Sequence, residues 1–250
     1  MERLKKTLIV IPARLDSTRL SNKLIRKIHG REIIVWAAQR ISTLGIDFVV
    51  AIDDKKIGEI LRNYQIPYVL TDKSHVSGTS RVSQVAEIIP GFDYYCSVQG
   101  DEPLINPLEV SKFIERGEQI ATNYLNAVCK FSKLEDPRDT ANVKAIVSST
   151  GRLIYASRAI VPFSDAINKA DYLQICGLYL FSKEFILNYQ NLPFSKLEKK
   201  EKIEQLRCLE LDIEVQTLEI GGEMLSVDTL ADLKKISAIP SHVFTLGTLH

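Results

Sequence analysis

No pair of cysteines in this sequence has the spacing of a metal site or a redox motif. Cys96, Cys129, Cys176 and Cys208 stand far apart, with no CxxC and no Cys/His clustering, so they are expected to be reduced and structural, and a zinc site is not expected. Net charge is almost absent: 32 Lys plus Arg face 31 Asp plus Glu, a formal +1, which gives no reason to expect nucleic acid or a membrane as partner. The apolar run nearest the N-terminus, Leu8 to Ile11, ends at a charged loop. It is too short for a leader or a membrane span, so a cytoplasmic protein is expected. What the chain does have is 250 residues, 45% of them hydrophobic, enough for one α/β domain across residues 1–250 with a lobe set into it.

The stretch from Leu8 to Lys23 organises the rest. A buried strand runs into Pro12-Ala13-Arg14-Leu15-Asp16-Ser17-Thr18-Arg19-Leu20-Ser21-Asn22-Lys23, and a loop at the carboxyl end of a first parallel strand is where open α/β sheets hold ligands. Arg14, Arg19 and Lys23 suit a polyphosphate; a solvated basic turn is the plain alternative. Helix spacing over Ile33–Ile41, a strand at Asp47–Ile52, a helix at about 56–63 and a strand at Pro67–Leu70 then predict parallel pairing with right-handed crossovers.

Ser77-Gly78-Thr79 precedes a helix predicted over about 82–89 and offers capping hydroxyls and a close backbone approach, suited to a cap, an anion or the edge of a base. A fourth strand, Tyr94–Val98, ends in Gln99-Gly100-Asp101-Glu102-Pro103. An acidic pair there calls for solvent or a cation, and Mg²⁺ serves when the substrate carries phosphates. A helix from Pro107 to about Gly117 and a strand within Ala121–Val128 follow. Beyond them the alternation breaks: strands at 143–147 and 151–155, a strong strand at Leu173–Phe181, helices at 185–192 and 199–208, and a strand at 213–220 predict a mixed sheet with a small lobe at about 130–215, a candidate dimer surface. Gly221-Gly222 turns the chain. Asp228 sits at a strand-to-helix junction, where a helix cap is the ordinary reading, and the tail from Pro240 reads as accessory.

Taken together, the motifs resemble those of the cytidylyltransferases that activate 3-deoxy-manno-octulosonate, the CMP-Kdo synthetases. The resemblance covers about residues 7–236: Pro12-Ala13-Arg14, Ser17-Thr18-Arg19-Leu20 with Lys23, Thr71-Asp72, His75-Val76-Ser77-Gly78-Thr79, Gln99 to Pro103, Asn142-Val143-Lys144, Ser157-Arg158, Gly177-Leu178-Tyr179, Leu197-Glu198, Glu204-Gln205-Leu206-Arg207 and Val227-Asp228-Thr229 occur in order. It implies a Rossmann-like nucleotidyltransferase fold, usually dimeric. It implies Mg²⁺-dependent transfer of CMP from CTP to an acidic 3-deoxy sugar, with release of pyrophosphate. It also implies that Arg14, Lys23, Asp101 and Asp228 serve catalysis, with Asp101 and Asp228 on Mg²⁺. Ala13, Arg14, Arg19, Lys23, Thr71, Ser77, Gly78, Arg81, Gln99 and Gly100 would hold the nucleotide, and Gln99, Arg158, Ile175, Tyr179, Glu204 and Gln205 the sugar.

The sequence departs from the family pattern in three places. Ser21-Asn22 stands where Pro-Gly is usual, and Asn tolerates the left-handed backbone that Gly allows. Ser80 replaces an acidic residue before Arg81, which puts a partner of Arg81 and the cytosine preference in question. Ile175 replaces a histidine, and an apolar side chain cannot replace imidazole's hydrogen bonds, so the expected acceptor is Kdo or a modified relative of it, such as 8-amino-Kdo. A transferase for another sugar and a noncatalytic homologue are the alternatives. Against a transferase for neutral sugar phosphates, the loop from Arg14 to Arg19 holds no glycine.

Overall fold

The computed structural model describes residues 6–17, 19–132, 135–221 and 225–245; Thr18 of the loop motif and Gly222 of the predicted turn lie outside them. In chain order the elements are β1 (Thr7–Ala13), β2 (Lys27–Ile28), β3 (Arg31–Glu32), α1 (Ile33–Ser42), β4 (Phe48–Ile52), α2 (Lys55–Asn63), β5 (Tyr68–Leu70), α3 (Gly78–Ile88), β6 (Tyr94–Val98), α4 (Pro107–Ile120), β7 (Tyr124–Lys130), β8 (Lys144–Val147), β9 (Leu153–Ser157), β10 (Leu173–Ser182), α5 (Lys183–Asn188), α6 (Lys196–Glu201), α7 (Gln205–Glu210), β11 (Gln216–Glu219), α8 (Leu230–Ser237) and α9 (Ser241–Phe244).

The main sheet runs β11-β7-β10-β6-β1-β4-β5, with the β8–β9 hairpin attached through β10. β1 lies parallel between β4 and β6, while β10 is antiparallel to both β6 and β7. The unbroken apolar run of β1 follows from burial on both faces. Ile9 and Ile11 pack with α1, α2 and α4 on one side, and Leu8 and Val10 pack with α3 and α5 on the other, as the two-residue period of a strand requires. The mixed, mostly parallel α/β nucleotidyltransferase architecture expected from the sequence is the one observed.

Two helices and the tail differ most from expectation. α3 begins at Gly78, one turn earlier than apolar spacing indicates. Its first turn carries no large apolar residue, and Ser77 caps it by accepting from Ser80 N at 3.1 Å. The helix expected over 199–208 is two helices, broken at Lys202, whose backbone is left-handed (φ 56°). There the Arg158 guanidinium takes the carbonyls of Glu201 (2.8 Å) and Lys202 (3.3 Å), which a continuous helix would use internally. The tail is not merely accessory. Phe244 is buried against Trp36, with ring centres 5.2 Å apart, and Arg40 donates to the carbonyls of Val243 and Phe244 while also holding Ile105 O at 2.6 Å.

Candidate active site

A cleft of about 440 Å³ opens at the carboxyl ends of β1 and β6, floored by Pro12, Ala13, Gln99 and Gly100 and walled by the loop after β1, the start of α3 and the α6–α7 segment. Asn22 adopts the left-handed conformation (φ 53°, ψ 37°) that its place in the motif requires, and the chain turns directly into Lys23. The Lys23 ammonium donates to Asp101 and, at 2.9 Å, to Asp228 Oδ1. Arg19 reaches Asp228 Oδ2 at 3.1 Å, and Val227 N donates to Asp101 O at 3.0 Å, tying the two carboxylate-bearing segments through the backbone.

Asp228 does not cap α8. Thr229 does, in a capping box with Asp232, which leaves the Asp228 carboxylate to face Lys23. Burial alone would push the Lys23 ammonium down, but Asp101 and Asp228 outweigh it and hold it above its ordinary value. Burial likewise opposes ionisation of Asp228, and Lys23 and Arg19 overcome it, so its carboxyl lies below the usual range.

The acidic pair at the end of β6 divides by environment. Asp101 faces the cleft, whereas Glu102 lies buried behind it with Oε2 unpartnered, and burial followed by the charge of Asp101 pushes its carboxyl far up. Close packing shapes this turn: a Cβ on Gly100 would stand 2.7 Å from Ile34 Cδ1, and one on Gly177 would overlap Gln99 Cγ. Buried Arg81, whose expected acidic neighbour is Ser80 here, finds its carboxylate on another strand end. Its Nη2 pairs with Asp53 Oδ2 at 3.1 Å and its Nη1 donates to Thr71 Oγ1, while Asp53 Oδ1 accepts from Leu15 N at 2.9 Å. One carboxylate therefore fastens both the base of α3 and the loop after β1. In the sequence Asp53 is only the residue after a strand expected to end at Ile52.

The matches with known proteins bear on what this geometry serves. The cytidylyltransferase family profile matches residues 8–216, and a 3-deoxy-manno-octulosonate cytidylyltransferase of Koribacter versatilis is 35% identical over 240 residues, 94% of this chain and 90% of that protein. The chain belongs to the CMP-Kdo synthetase family. The Escherichia coli member is 31% identical over 94% of this chain and 96% of its own length. A CMP:2-keto-3-deoxy-manno-octonic acid synthetase solved in complex with CTP superposes with a TM-score of 0.85 at 31% identity, covering 94% of this chain and 98% of that one. The inositol-1-phosphate CTP transferase of T. maritima, at 16% identity and a TM-score of 0.64 over 98% and 95% of the two chains, shares the fold.

Against the CMP-Kdo synthetase pattern, the cleft brings together Ala13, Arg14, Lys23, Ser77, Gly78, Arg81, Gln99, Gly100, Asp101, Glu204 and Asp228. Arg19 joins through its ion pair and Thr71 through Arg81. Four of the residues expected to hold the sugar lie outside the lining. Gln205 is buried on Asn126 Oδ1 at 2.7 Å, and Tyr179 packs half-buried against the core, its phenol pushed up by burial. Ile175 packs beside Ile203 and Leu206, and Arg158 is spent on backbone carbonyls. Glu204 lines the cleft, with Oε2 accepting from Thr79 N at 3.3 Å and Tyr189 OH at 3.4 Å.

Sequence reasoning missed Phe194, Lys199, Lys202 and Ile203, which also line the cleft. The two lysines were visible only as part of a charged helix face.

Members of this family use a divalent metal. Among the described residues no cluster of three or more metal-ligating side chains occurs. Two oxygen donors converging on one cation is nevertheless the set that suits Mg²⁺, which completes its shell with water and substrate phosphates. Asp101 and Asp228, gathered here by the Lys23 ammonium, fit that role.

Proposed function

We propose that this cytidylyltransferase transfers CMP from CTP to the anomeric hydroxyl of Kdo or of a modified Kdo-like 3-deoxy ulosonic acid, such as 8-amino-Kdo, releasing pyrophosphate. The observation that carries the reading is the convergence of Lys23 and Arg19 on two carboxylates from distant segments, Asp101 and Asp228, in a cleft at the ends of β1 and β6.

The acceptor oxygen attacks the α-phosphorus, the bond to the bridging oxygen of the pyrophosphate breaks, and the hydroxyl proton passes to solvent. Arg14, Arg19 and Lys23 neutralise the triphosphate and hold the leaving group in line. Ser77 and Gly78, at the start of a capped helix, face the base. Gln99 and Glu204 orient the acceptor. Asp101 and Asp228 would hold Mg²⁺, which supplies charge neutralisation on the phosphates and a lowered pKa for the attacking hydroxyl. Positioning and electrostatics carry the rate, with no covalent enzyme intermediate.

Ile175 supports the altered acceptor. Packed with Ile203, which lines the cleft, it gives that wall an apolar backing where the family pattern has a histidine. A homodimer formed through the lobe at about 130–215 belongs to the same reading.

The test is pyrophosphate release with Mg²⁺ across the four nucleoside triphosphates and a panel of Kdo, 8-amino-Kdo, a nine-carbon ulosonic acid and a neutral sugar phosphate. Turnover with CTP and an eight-carbon acid alone is expected. Turnover with another triphosphate or the neutral sugar overturns the reading, and preference for unmodified Kdo that is lost in Ile175→His overturns the altered-acceptor part of it.

A further inference from the structure

Asp101 and Asp228 come from segments far apart in the chain, and like charges gather only where something fixes the segments that bear them. On the cleft side the ties are Val227 N on Asp101 O and the Lys23 ammonium between the two side chains. A second set of ties lies outside the cleft, whose lining includes no residue beyond Asp228. α8 follows Asp228 almost directly and is thinly anchored by its own side chains, since Ile236 alone among them is buried.

Beyond α8 the chain turns back over α1. His29 Nε2 donates to Ile239 O at 2.8 Å, and Phe244 packs on the His29 and Trp36 rings, with centres 5.1 and 5.2 Å away. From Pro240 to Thr245, Phe244 is the one buried residue. Arg40 joins this segment to the turn that bears Asp101. Its Nε donates to Ile105 O at 2.6 Å and its Nη1 to Val243 O (3.3 Å) and Phe244 O (3.5 Å), while Ile105 N closes the turn on Glu102 O at 3.2 Å. The guanidinium is half-buried, and among the described residues no carboxylate pairs with it. A desolvated cation without a counter-charge is costly, and what its planar fork achieves here is to span two separate segments.

We propose that the segment 239–245 is a latch on the metal site: seated on α1, it fixes α8 and the turn after β6, with Arg40 as the positioning residue, so that Asp101 and Asp228 are held ready for the divalent cation. This rests on the cytidylyltransferase reading above and adds a coupling between that site and a segment outside it. Held by one buried side chain, the segment opens at less cost than the sheet. Linkage makes the effect reciprocal, so the bound cation tightens the latch by the factor with which the seated latch tightens the cation.

The experiment pairs two readouts. Hydrogen exchange over residues 239–245, where the Ile239, Val243 and Thr245 amides are hydrogen-bonded, is followed by mass spectrometry with CTP and Mg²⁺, with CTP and a chelator, and without ligand. Initial rates against Mg²⁺ concentration, at saturating CTP and acceptor, are measured for wild type, Phe244→Ala, Phe244→Leu, Arg40→Lys, and Phe244→Ala combined with Arg40→Lys. Ile186→Ala, a core cavity of similar size class on the other face of the sheet, controls for lost stability.

Exchange over the segment should slow at least about fivefold with CTP and Mg²⁺ and not with CTP and the chelator. Phe244→Ala and Arg40→Lys should each raise the Mg²⁺ concentration for half-maximal rate by at least about fivefold, the low end for a coupling between sites, with kcat recovered within about twofold at saturating Mg²⁺. Phe244→Leu, which keeps an apolar anchor, should stay close to wild type. The double variant should add little to either single one, because both act through the same latch, and Ile186→Ala should leave the Mg²⁺ dependence unchanged.

An unchanged Mg²⁺ dependence in Phe244→Ala and Arg40→Lys overturns the proposal. So does an equal shift in Ile186→Ala, which assigns the effect to lost stability alone, and so does exchange that ignores the cation. Additive effects of Phe244→Ala and Arg40→Lys overturn the positioning role of Arg40. A wild type that turns over no acid on the panel sinks the reaction reading instead, and the exchange readout, which needs no acceptor, still decides the latch.

Discussion

At the residue scale, the site depends on charges whose partners come from distant parts of the chain. Asp53 pairs with buried Arg81 and also holds the Leu15 N–H, so Asp53→Asn leaves a guanidinium in the core without its counter-charge. Loss of one partner of a buried pair costs about 3–5 kcal/mol, and chemical denaturation should show a drop of that order, accompanied by weaker CTP binding because Leu15 sits in the loop proposed to hold the triphosphate. Arg81→Met in the same background should recover part of the stability. The sequence offered Asp53 and Arg81 as separate charges 28 positions apart, and no local pattern links the end of one strand to a helix face beyond the next strand. By contrast Lys23, Asp101 and Asp228, which the structure gathers in one cleft, could be singled out in the sequence because each stands in a short motif that matches the family pattern; from local residues alone Asp228 reads as a helix cap.

At the element scale, helix ends and close approaches set the geometry. Asp54 caps α2 by accepting from Lys56 N at 2.9 Å and pairs with Lys73 at 3.0 Å; these contacts, the backbone bond first, hold its carboxyl below its ordinary value. A depressed carboxyl stabilises the fold above its unfolded pKa, and that contribution is lost as pH falls through the folded value. The urea midpoint of wild type should therefore exceed that of Asp54→Ala at neutral pH and converge towards it as pH falls below the ordinary aspartate range of about 3.9.

The approach of β10 to the turn after β6 makes a second case. A methyl group at Gly177 meets Gln99 and, at 2.8 Å, Glu102 Oε1. Gly177→Ala should cost about 1–3 kcal/mol, as overpacking does, and should lower turnover further by displacing Gln99 from the cleft. Strand and helix existence followed well from apolar periodicity. The break at Lys202 did not, because its cause is a guanidinium from β9's end rather than anything in the helix sequence.

At the scale of the whole molecule, the first seventy residues could be read as alternating strands and helices because β1 and β4 are buried on both faces. The insertion of antiparallel β10 between β6 and β7 is a different matter. Direction within a sheet is decided by long connections, which leave no period in the strand itself. The reading of the tail as accessory fails for a related reason: the pocket that buries Phe244 is made by residues more than 200 positions earlier. Phe244→Ala should remove about 3 kcal/mol, the low end for a buried phenylalanine, and lower Tm in a thermal scan.

The pocket for that phenylalanine contains Trp36, whose indole donates to Ile28 O at 2.9 Å with the Arg31 guanidinium 4.3 Å above the ring, and the sequence has one tryptophan. The molecule thus carries its own optical probe. Emission from a single fluorophore reports whether the last helix is seated, and α1 carries that fluorophore alongside Ile34, which packs on Gly100 at the floor of the cleft. Ligand titrations can be followed by intrinsic fluorescence without any label, and detachment of the tail will register as a red shift before the sheet itself gives way.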